Sequence, residues 1–235
     1  MLEPEPTRVL IQLFLLGIFS ALPIFALRYF DFDFSPLILL VVFAVLEESS
    51  KILALIFGVE LNRARFDKWE DGFEFAVLIA LGFAFAENIF YFFAAADSTS
   101  FWNIYFFRSL GTVLAHIIFT GTFGYFYAAA FVEKKIVPSA KHEKPLANFL
   151  RNLGKVLRRP LHITLHHLLP KKDSARGHSS GEVVIEGFLV AVALHAIFNS
   201  LLFFKILDQN LAFLSVPILL GAGGWYAMRF SKIKN

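Results

Sequence analysis

Six ionisable side chains lie inside apolar stretches of this sequence that are long enough to cross a bilayer. They are Glu47, Glu48, Lys51, Glu87, His116 and His195. A charge at the centre of a bilayer costs at least about 2.5 kcal/mol, so such residues usually serve a function. Carboxylates and imidazoles can take a proton from water, hold a divalent cation or relay protons. The set therefore indicates either a hydrolytic site or an ion pathway.

The first three of these residues share one apolar run, 36–57. At about 1.5 Å per helical residue, Glu47 lies about 17 Å into a hydrocarbon core of about 30 Å. Lys51 follows Glu48 by three positions and Glu47 by four, so it can neutralise one of the two carboxylates. It cannot neutralise both, so an ion pair within the helix does not account for the second carboxylate at this depth.

The other three ionisable groups lie at a similar depth in three later apolar runs. The same rise places Glu87, His116 and His195 at about 21, 16 and 18 Å from the amino-terminal ends of their runs. In lipid, polar groups at one level must face each other or a wet cavity. Asn88 and Asn199 lie next to this set, and either a site role or plain interhelical hydrogen bonding fits them.

Three carboxylates and one ammonium leave a formal charge of −2 at this level, which is costly in a low dielectric. One remedy is that a glutamate stays protonated. The other is a bound dication such as Zn²⁺, for which Glu87, His116 and His195 are the candidate ligands. Both remedies lead to hydrolysis by an activated water, with or without a metal, and no HExxH zinc motif decides between them.

The elements that must position these groups are transmembrane helices. The chain has 235 residues, 57% hydrophobic, with a mean hydropathy of +0.63. We expect an all-α polytopic membrane protein forming one domain over 1–235, with six spans at 9–27, 36–57, 73–93, 105–131, 183–204 and 211–228. The absence of cysteine excludes disulfides and a cysteine nucleophile, and the net charge of +3 does not indicate nucleic-acid binding.

Most of the 22 lysines and arginines fall in the amino-terminal tail, two loops and the carboxy-terminal tail. The positive-inside rule then predicts a plasma-membrane protein with both termini in the cytoplasm. The loop 133–182 contains a basic amphipathic pattern at 146–159, typical of a helix lying on the inner leaflet. His162, His166 and His167 follow it, and we interpret them as interfacial rather than metal-binding.

Four features, in order along the chain, resemble the motifs of a known family. EESSK at 47–51 matches an EExxK pattern, FAFAEN at 83–88 matches FxxxEN, and HAIFN at 195–199 matches HxxxN, with His116 between the last two. Together they resemble the PrsW intramembrane proteases over the second to fifth spans. The resemblance implies a polytopic peptidase that makes the first cut in a single-span anti-sigma factor. That family is in turn similar to the CAAX-protease and bacteriocin-processing superfamily.

Carried over to this sequence, the resemblance implies that Glu47 and Glu48 include the general base. It implies that His195 with Asn199 stabilises the oxyanion, and that Lys51 replaces an arginine of the superfamily motif.

Glu87 stands where the superfamily has a histidine, which leaves His116 to supply the missing imidazole. This departure leaves open both the identity of the base and the dependence on a metal.

We therefore expect an endopeptidase that cleaves a membrane-anchored protein, with the lipid bilayer and an anti-sigma-factor-like substrate as partners and no nucleic acid. The candidate catalytic residues are Glu47, Glu48, Glu87, His116, His195 and Asn199, supported by Lys51 and Asn88. The alternative is a proton- or ion-coupled transporter using the same cluster, although the sequence lacks the paired Gly/Pro-interrupted spans typical of that class.

Overall fold

The computed structural model describes residues 6–99, 101–132 and 180–203, and these residues form helices and short connections with no strand among them. A 3₁₀ turn at Arg63–Arg65 joins the second and third helices, and a π-helical turn at Arg108–Thr112 joins the fourth and fifth. The helices are α1 Thr7–Leu27, α2 Pro36–Leu61, α3 Trp69–Ala94, α4 Phe101–Phe107, α5 Val113–Val132 and α6 Ser180–Phe203.

Four segments of the described residues are long and apolar enough to cross a membrane: Thr7–Leu27, Trp69–Ala94, Ile104–Ala130 and Val183–Phe203. They confirm the all-helical membrane class and four of the six expected spans. The second expected span is the helix α2, which has 26 residues but carries three charged groups in its middle. The sixth expected span (211–228), the amphipathic segment and the three loop histidines lie outside the described residues.

Helix α3 is central to the packing, since it lies against both α1 and α5, and α5 in turn packs on α6. Glycine pairs allow the backbones to approach closely at both α3 contacts. Gly82 meets Gly17 of α1, and Gly72 meets Gly124 of α5, so that an added Cβ would collide with the facing backbone. Small residues at helix contacts are the usual means of packing in lipid. These contacts fix the positions of the two helices that carry Glu87 and His116.

The apolar side chains divide between the interior and the periphery. Phe75, Phe83 and Phe123 are fully buried between the helices, whereas Phe19 and Phe93 remain 60% and 81% exposed. Large exposed aromatic side chains suit a surface that faces lipid rather than water.

The expected fourth span is not one regular helix, because a π-helical turn interrupts it. The backbone carbonyl of Arg108 accepts hydrogen bonds from Thr112 Oγ1 at 2.6 Å and from Asn88 Nδ2 at 3.2 Å. Both side chains thus bind the first carbonyl of the turn, and π-helical turns are frequent at functional sites. The turn places the Arg108 side chain in the cavity described next.

Candidate active site

A cavity of about 400 Å³ lies between the helices and receives side chains from α1, α2, α3, the π turn, α5 and α6. The polar residues that line it are Arg28, Glu47, Glu87, Tyr91, Arg108, Thr112, His116, His195 and Asn199. The residues predicted from four separate stretches of sequence therefore meet in one place.

Glu47 lies in the wall of this cavity and is only 2% exposed. Its Oε1 accepts a hydrogen bond from Arg28 Nη2 at 2.8 Å, and its Oε2 lies 3.5 Å from His195 Nε2. One carboxylate oxygen is thus held from the end of α1 while the other faces the imidazole from α6.

Glu48 does not line the cavity, although it is adjacent to Glu47 in sequence. Its Oε1 is 2.5 Å from Lys51 Nζ and 2.8 Å from His195 Nδ1, and its Oε2 accepts from Thr120 Oγ1 at 3.2 Å. We call Glu48, Lys51, Thr120 and His195 the inner cluster. The first three are completely buried and His195 is 3% exposed. Glu48 orients the His195 ring so that Nε2 faces the cavity.

His116 connects the inner cluster to the rest of the site. Its Nδ1 lies 2.9 Å from Lys51 Nζ, and its Nε2 lies 2.9 Å from Glu87 Oε2. A lysine ammonium can only donate, so Nδ1 accepts and Nε2–H donates to the carboxylate in this arrangement. The His116 and His195 rings stand edge to face, with centroids 5.4 Å apart.

Glu87 is surrounded by cationic groups. Arg28 Nη2 lies 3.4 Å from its Oε1, and Arg108 Nη2 lies 2.9 Å from its Oε2. The Arg108 contact is an ion pair, and Nη2 does not form a hydrogen bond to the oxygen. Tyr91 packs against both arginines and accepts a hydrogen bond from Arg28 Nη1. We call Arg28, Glu87, Tyr91 and Arg108 the outer cluster.

Glu47, His116 and His195 form the group best placed to hold a metal ion. Each offers one ligand atom, and these atoms all lie within 4.8 Å of one another. One carboxylate and two imidazoles are a donor set that suits a catalytic Zn²⁺ and leaves a position for water. Glu47 and His195 each have an outer hydrogen-bond partner, as metal ligands usually do. His116 has both ring nitrogens engaged and would join them once one of its two hydrogen bonds opens. The residues present therefore fit a divalent metal.

This group differs from the predicted ligand set, which contained Glu87 in place of Glu47. Glu87 lies on the His116 ring and beside two arginines, whereas Glu47 faces His195. The depth of a residue along its helix cannot tell which of two neighbouring carboxylates faces a given imidazole, because that depends on how the helices are rotated.

The two asparagines have different positions. Asn199 lines the cavity one turn after His195, as its spacing predicts. Asn88 does not line the cavity; it donates to the carbonyl of Arg108 and so supports the π turn.

Sequence reasoning did not include Arg28, Arg108, Tyr91 and Thr120 in the site. The two arginines lie at span ends, where a long side chain is normally expected to extend towards water. Here both guanidinium groups extend inward and, with neutral histidines, cancel the formal charge of −2 left by the three glutamates and Lys51. That unbalanced charge was the signal that could have pointed to them.

A polytopic helical membrane protein with a buried carboxylate–imidazole cavity of this kind has the features of an intramembrane hydrolase. The comparison with protein families agrees: residues 5–150 match the model described as "PrsW family intramembrane metalloprotease", and the chain belongs to that family. The family description names a peptidase and not a transporter. The match ends before α6, so His195 and Asn199 lie beyond it.

A curated relative supports the same family. The chain is 31% identical over 131 residues to a protein named "Protease PrsW" from Oceanobacillus iheyensis. This match covers 54% of the chain and 58% of the relative's length. No solved structure matches the chain. The resemblance read from the short motifs is thereby confirmed.

Proposed function

We propose that this chain is an intramembrane endopeptidase that hydrolyses a peptide bond of a membrane-anchored protein with a water activated in the cavity. The observation that carries the proposal is the meeting of Glu47, His116 and His195 within 4.8 Å inside a cavity that also contains Glu87. Membership of a family of intramembrane metalloproteases supports the same reaction.

Glu47, His116 and His195 would hold a divalent metal such as Zn²⁺. When bound, such an ion acts as a Lewis acid and makes a water more acidic. Arg28 on Glu47 and Glu48 on His195 would keep these two side chains in place.

Glu87 is our candidate for the general base. It lines the cavity and is not a member of the metal-holding group, whereas Glu48 does not line the cavity. A hydrogen bond that Glu87 accepts from Arg28 or His116 must open before its oxygen takes a proton. Glu87 takes a proton from the water as the water oxygen attacks the peptide carbonyl carbon. It returns this proton to the nitrogen when the C–N bond breaks, which leaves one carboxyl end and one amino end.

Asn199 is our candidate for an oxyanion donor. It lines the cavity from the same helix as His195, so its amide N–H group can donate to the oxygen on which negative charge develops. The buried helical surroundings exclude bulk water, which strengthens such hydrogen bonds.

The substrate we propose is a single-span protein of the anti-sigma-factor type. It would be cleaved by an enzyme in the plasma membrane whose two termini are cytoplasmic. The apolar spans and the family membership support a membrane-embedded substrate, and the distribution of basic residues supports the orientation.

The test is cleavage of a single-span reporter protein by the purified chain in liposomes. Glu47→Gln and Glu87→Gln should each reduce the rate by at least about 100-fold, the usual range for loss of general-base catalysis. Glu60→Gln is the matched control, since Glu60 lies on α2 but pairs with Arg63 at the surface. A chelator should stop cleavage and added Zn²⁺ should restore it. Undiminished cleavage by both cavity variants would refute the proposal.

A further inference from the structure

Two arginines border the same cavity with part of their hydrogen-bonding capacity unused. Arg28 comes from the end of α1 and Arg108 from the π turn, and their side chains are 23% and 13% exposed. Among the residues that the structure describes, Arg28 Nε and both Nε and Nη2 of Arg108 are buried without a hydrogen-bond partner. Buried donors of this kind normally have partners, so their presence beside a cavity needs an explanation.

The pairing with Glu47 and Glu87 does not account for both arginines equally. Arg28 donates directly to Glu47 and to Tyr91. Arg108 Nη2 lies 2.9 Å from Glu87 Oε2 without forming a hydrogen bond to it, and the guanidinium carbon lies 3.6 Å from the centre of the Tyr91 ring. Stacking on an aromatic ring holds a guanidinium in one plane, and the 13% of the Arg108 side chain that stays exposed lines the cavity, where a ligand can meet it.

The charges around the cavity indicate the charge that a ligand bound by these arginines should carry. Arg28 and Arg108 balance Glu47 and Glu87, and Lys51 balances Glu48, so the site is formally neutral with neutral histidines. A dication held by Glu47, His116 and His195 would make it strongly positive. Excess positive charge in a low-dielectric cavity is best relieved by an anion.

We infer that Arg28 and Arg108 bind a carboxylate side chain of the substrate, an aspartate or glutamate close to the bond that is cut. This inference rests on the proposed function and specifies its substrate class. A guanidinium edge binds a carboxylate through two parallel N–H···O bonds, which an amide of the same shape cannot match. The cavity thus selects an acidic residue near the cleaved bond and uses Arg108 as the main determinant.

The experiment uses synthetic single-span peptides that are identical except for Glu or Gln at one position, with that position moved through the segment around the cleaved bond. At one position the Glu peptide should have a kcat/KM at least about tenfold above that of its Gln partner, as expected for charge-assisted hydrogen bonds. Arg108→Gln should reduce this ratio to near one, and Arg108→Lys should keep part of it. Arg63→Gln, which alters a surface arginine on the loop before α3, should leave the ratio unchanged.

Two results would overturn the inference. One is an equal kcat/KM for the Glu and Gln peptides at every position. The other is a loss of activity in Arg108→Gln by the same factor for both peptides, which would mean that Arg108 serves only Glu87.

Binding separates this inference from the proposed function. In a Glu47→Gln background, fluorescence anisotropy of labelled peptides should show tighter binding of the Glu peptide, and adding Arg108→Gln should remove the difference. If no peptide is cleaved by the wild-type chain, the proposed function fails and this binding comparison still decides the inference. Equal binding of both peptides would reject it.

Discussion

The inner and outer clusters contain the same kinds of charged group but differ in how completely they are satisfied. In the inner cluster, Glu48 accepts from three partners, and its three non-histidine members are fully sequestered from solvent. In the outer cluster, Arg28 and Arg108 retain buried nitrogen atoms with no partner among the described residues. A closed network suits the positioning of other groups, whereas an open one at a cavity suits binding of a ligand. We therefore expect the inner cluster to hold the site rigidly and the outer cluster to bind a ligand.

The largest expected effect comes from breaking the inner cluster at Lys51. Lys51→Met leaves the carboxylate of Glu48 buried without its 2.5 Å ammonium partner. Loss of one partner of a buried ion pair typically costs about 3–5 kcal/mol. We expect a large drop in the thermal unfolding midpoint, measured in detergent. The double variant Glu48→Gln with Lys51→Met should recover much of it, and a wild-type midpoint for Lys51→Met alone would show that the inner cluster is not a support.

An intermediate effect is expected at Thr120, which reaches the inner cluster from α5. Thr120→Val keeps the shape of the side chain but removes the hydrogen bond of 3.2 Å to Glu48 Oε2. A hydrogen bond to a charged group contributes about 1.5–3 kcal/mol, and this one is longer than the usual O–H···O distance, so we expect a loss of no more than about 1.5 kcal/mol. Denaturation of Thr120→Val and Thr120→Ser in parallel measures it, since serine keeps the hydroxyl. Equal stability of valine and wild type would contradict the expectation.

The smallest effect is expected for an ion pair that belongs to neither cluster. Arg63 and Glu60 are 2.9 Å apart at the surface, with side chains 57% and 45% exposed. Exposed pairs of this kind contribute about 0–1 kcal/mol. Arg63→Gln should therefore leave both the unfolding midpoint and the rate of reporter cleavage close to wild type. A substantial decrease in the unfolding midpoint or in the cleavage rate would contradict this. It would mean that a charged pair far from the cavity also matters for stability or activity.

The close glycine contacts show how helix packing supports both clusters. Gly82 and Gly17 bring α1 against α3, and this contact sets where Arg28, at the end of α1, can reach Glu47 and Glu87. Gly72 and Gly124 do the same for α3 and α5, which carry the hydrogen-bonded pair Glu87 and His116. The precision of the site therefore depends also on backbone contacts made by residues outside both clusters.

The sequence by itself determined the membrane class, the helices, and the set of Glu and His residues that gather at one level. These follow from local properties: apolar runs have a length that suits a bilayer, and a charge inside such a run cannot be left facing lipid. The family could also be recognised, because its motifs are short and contiguous.

Only the tertiary structure decided which partners meet. It placed Glu47 beside His195 and Glu87 beside His116, kept Glu48 out of the cavity, and brought Arg28 and Arg108 inward from the span ends. Helix rotation, a π turn and glycine contacts set these arrangements, and each depends on residues distant in sequence. A carboxylate forms a hydrogen bond with a group that lies about 3 Å away, and that group usually belongs to another helix. The spacing of residues within one segment does not give the distances between segments.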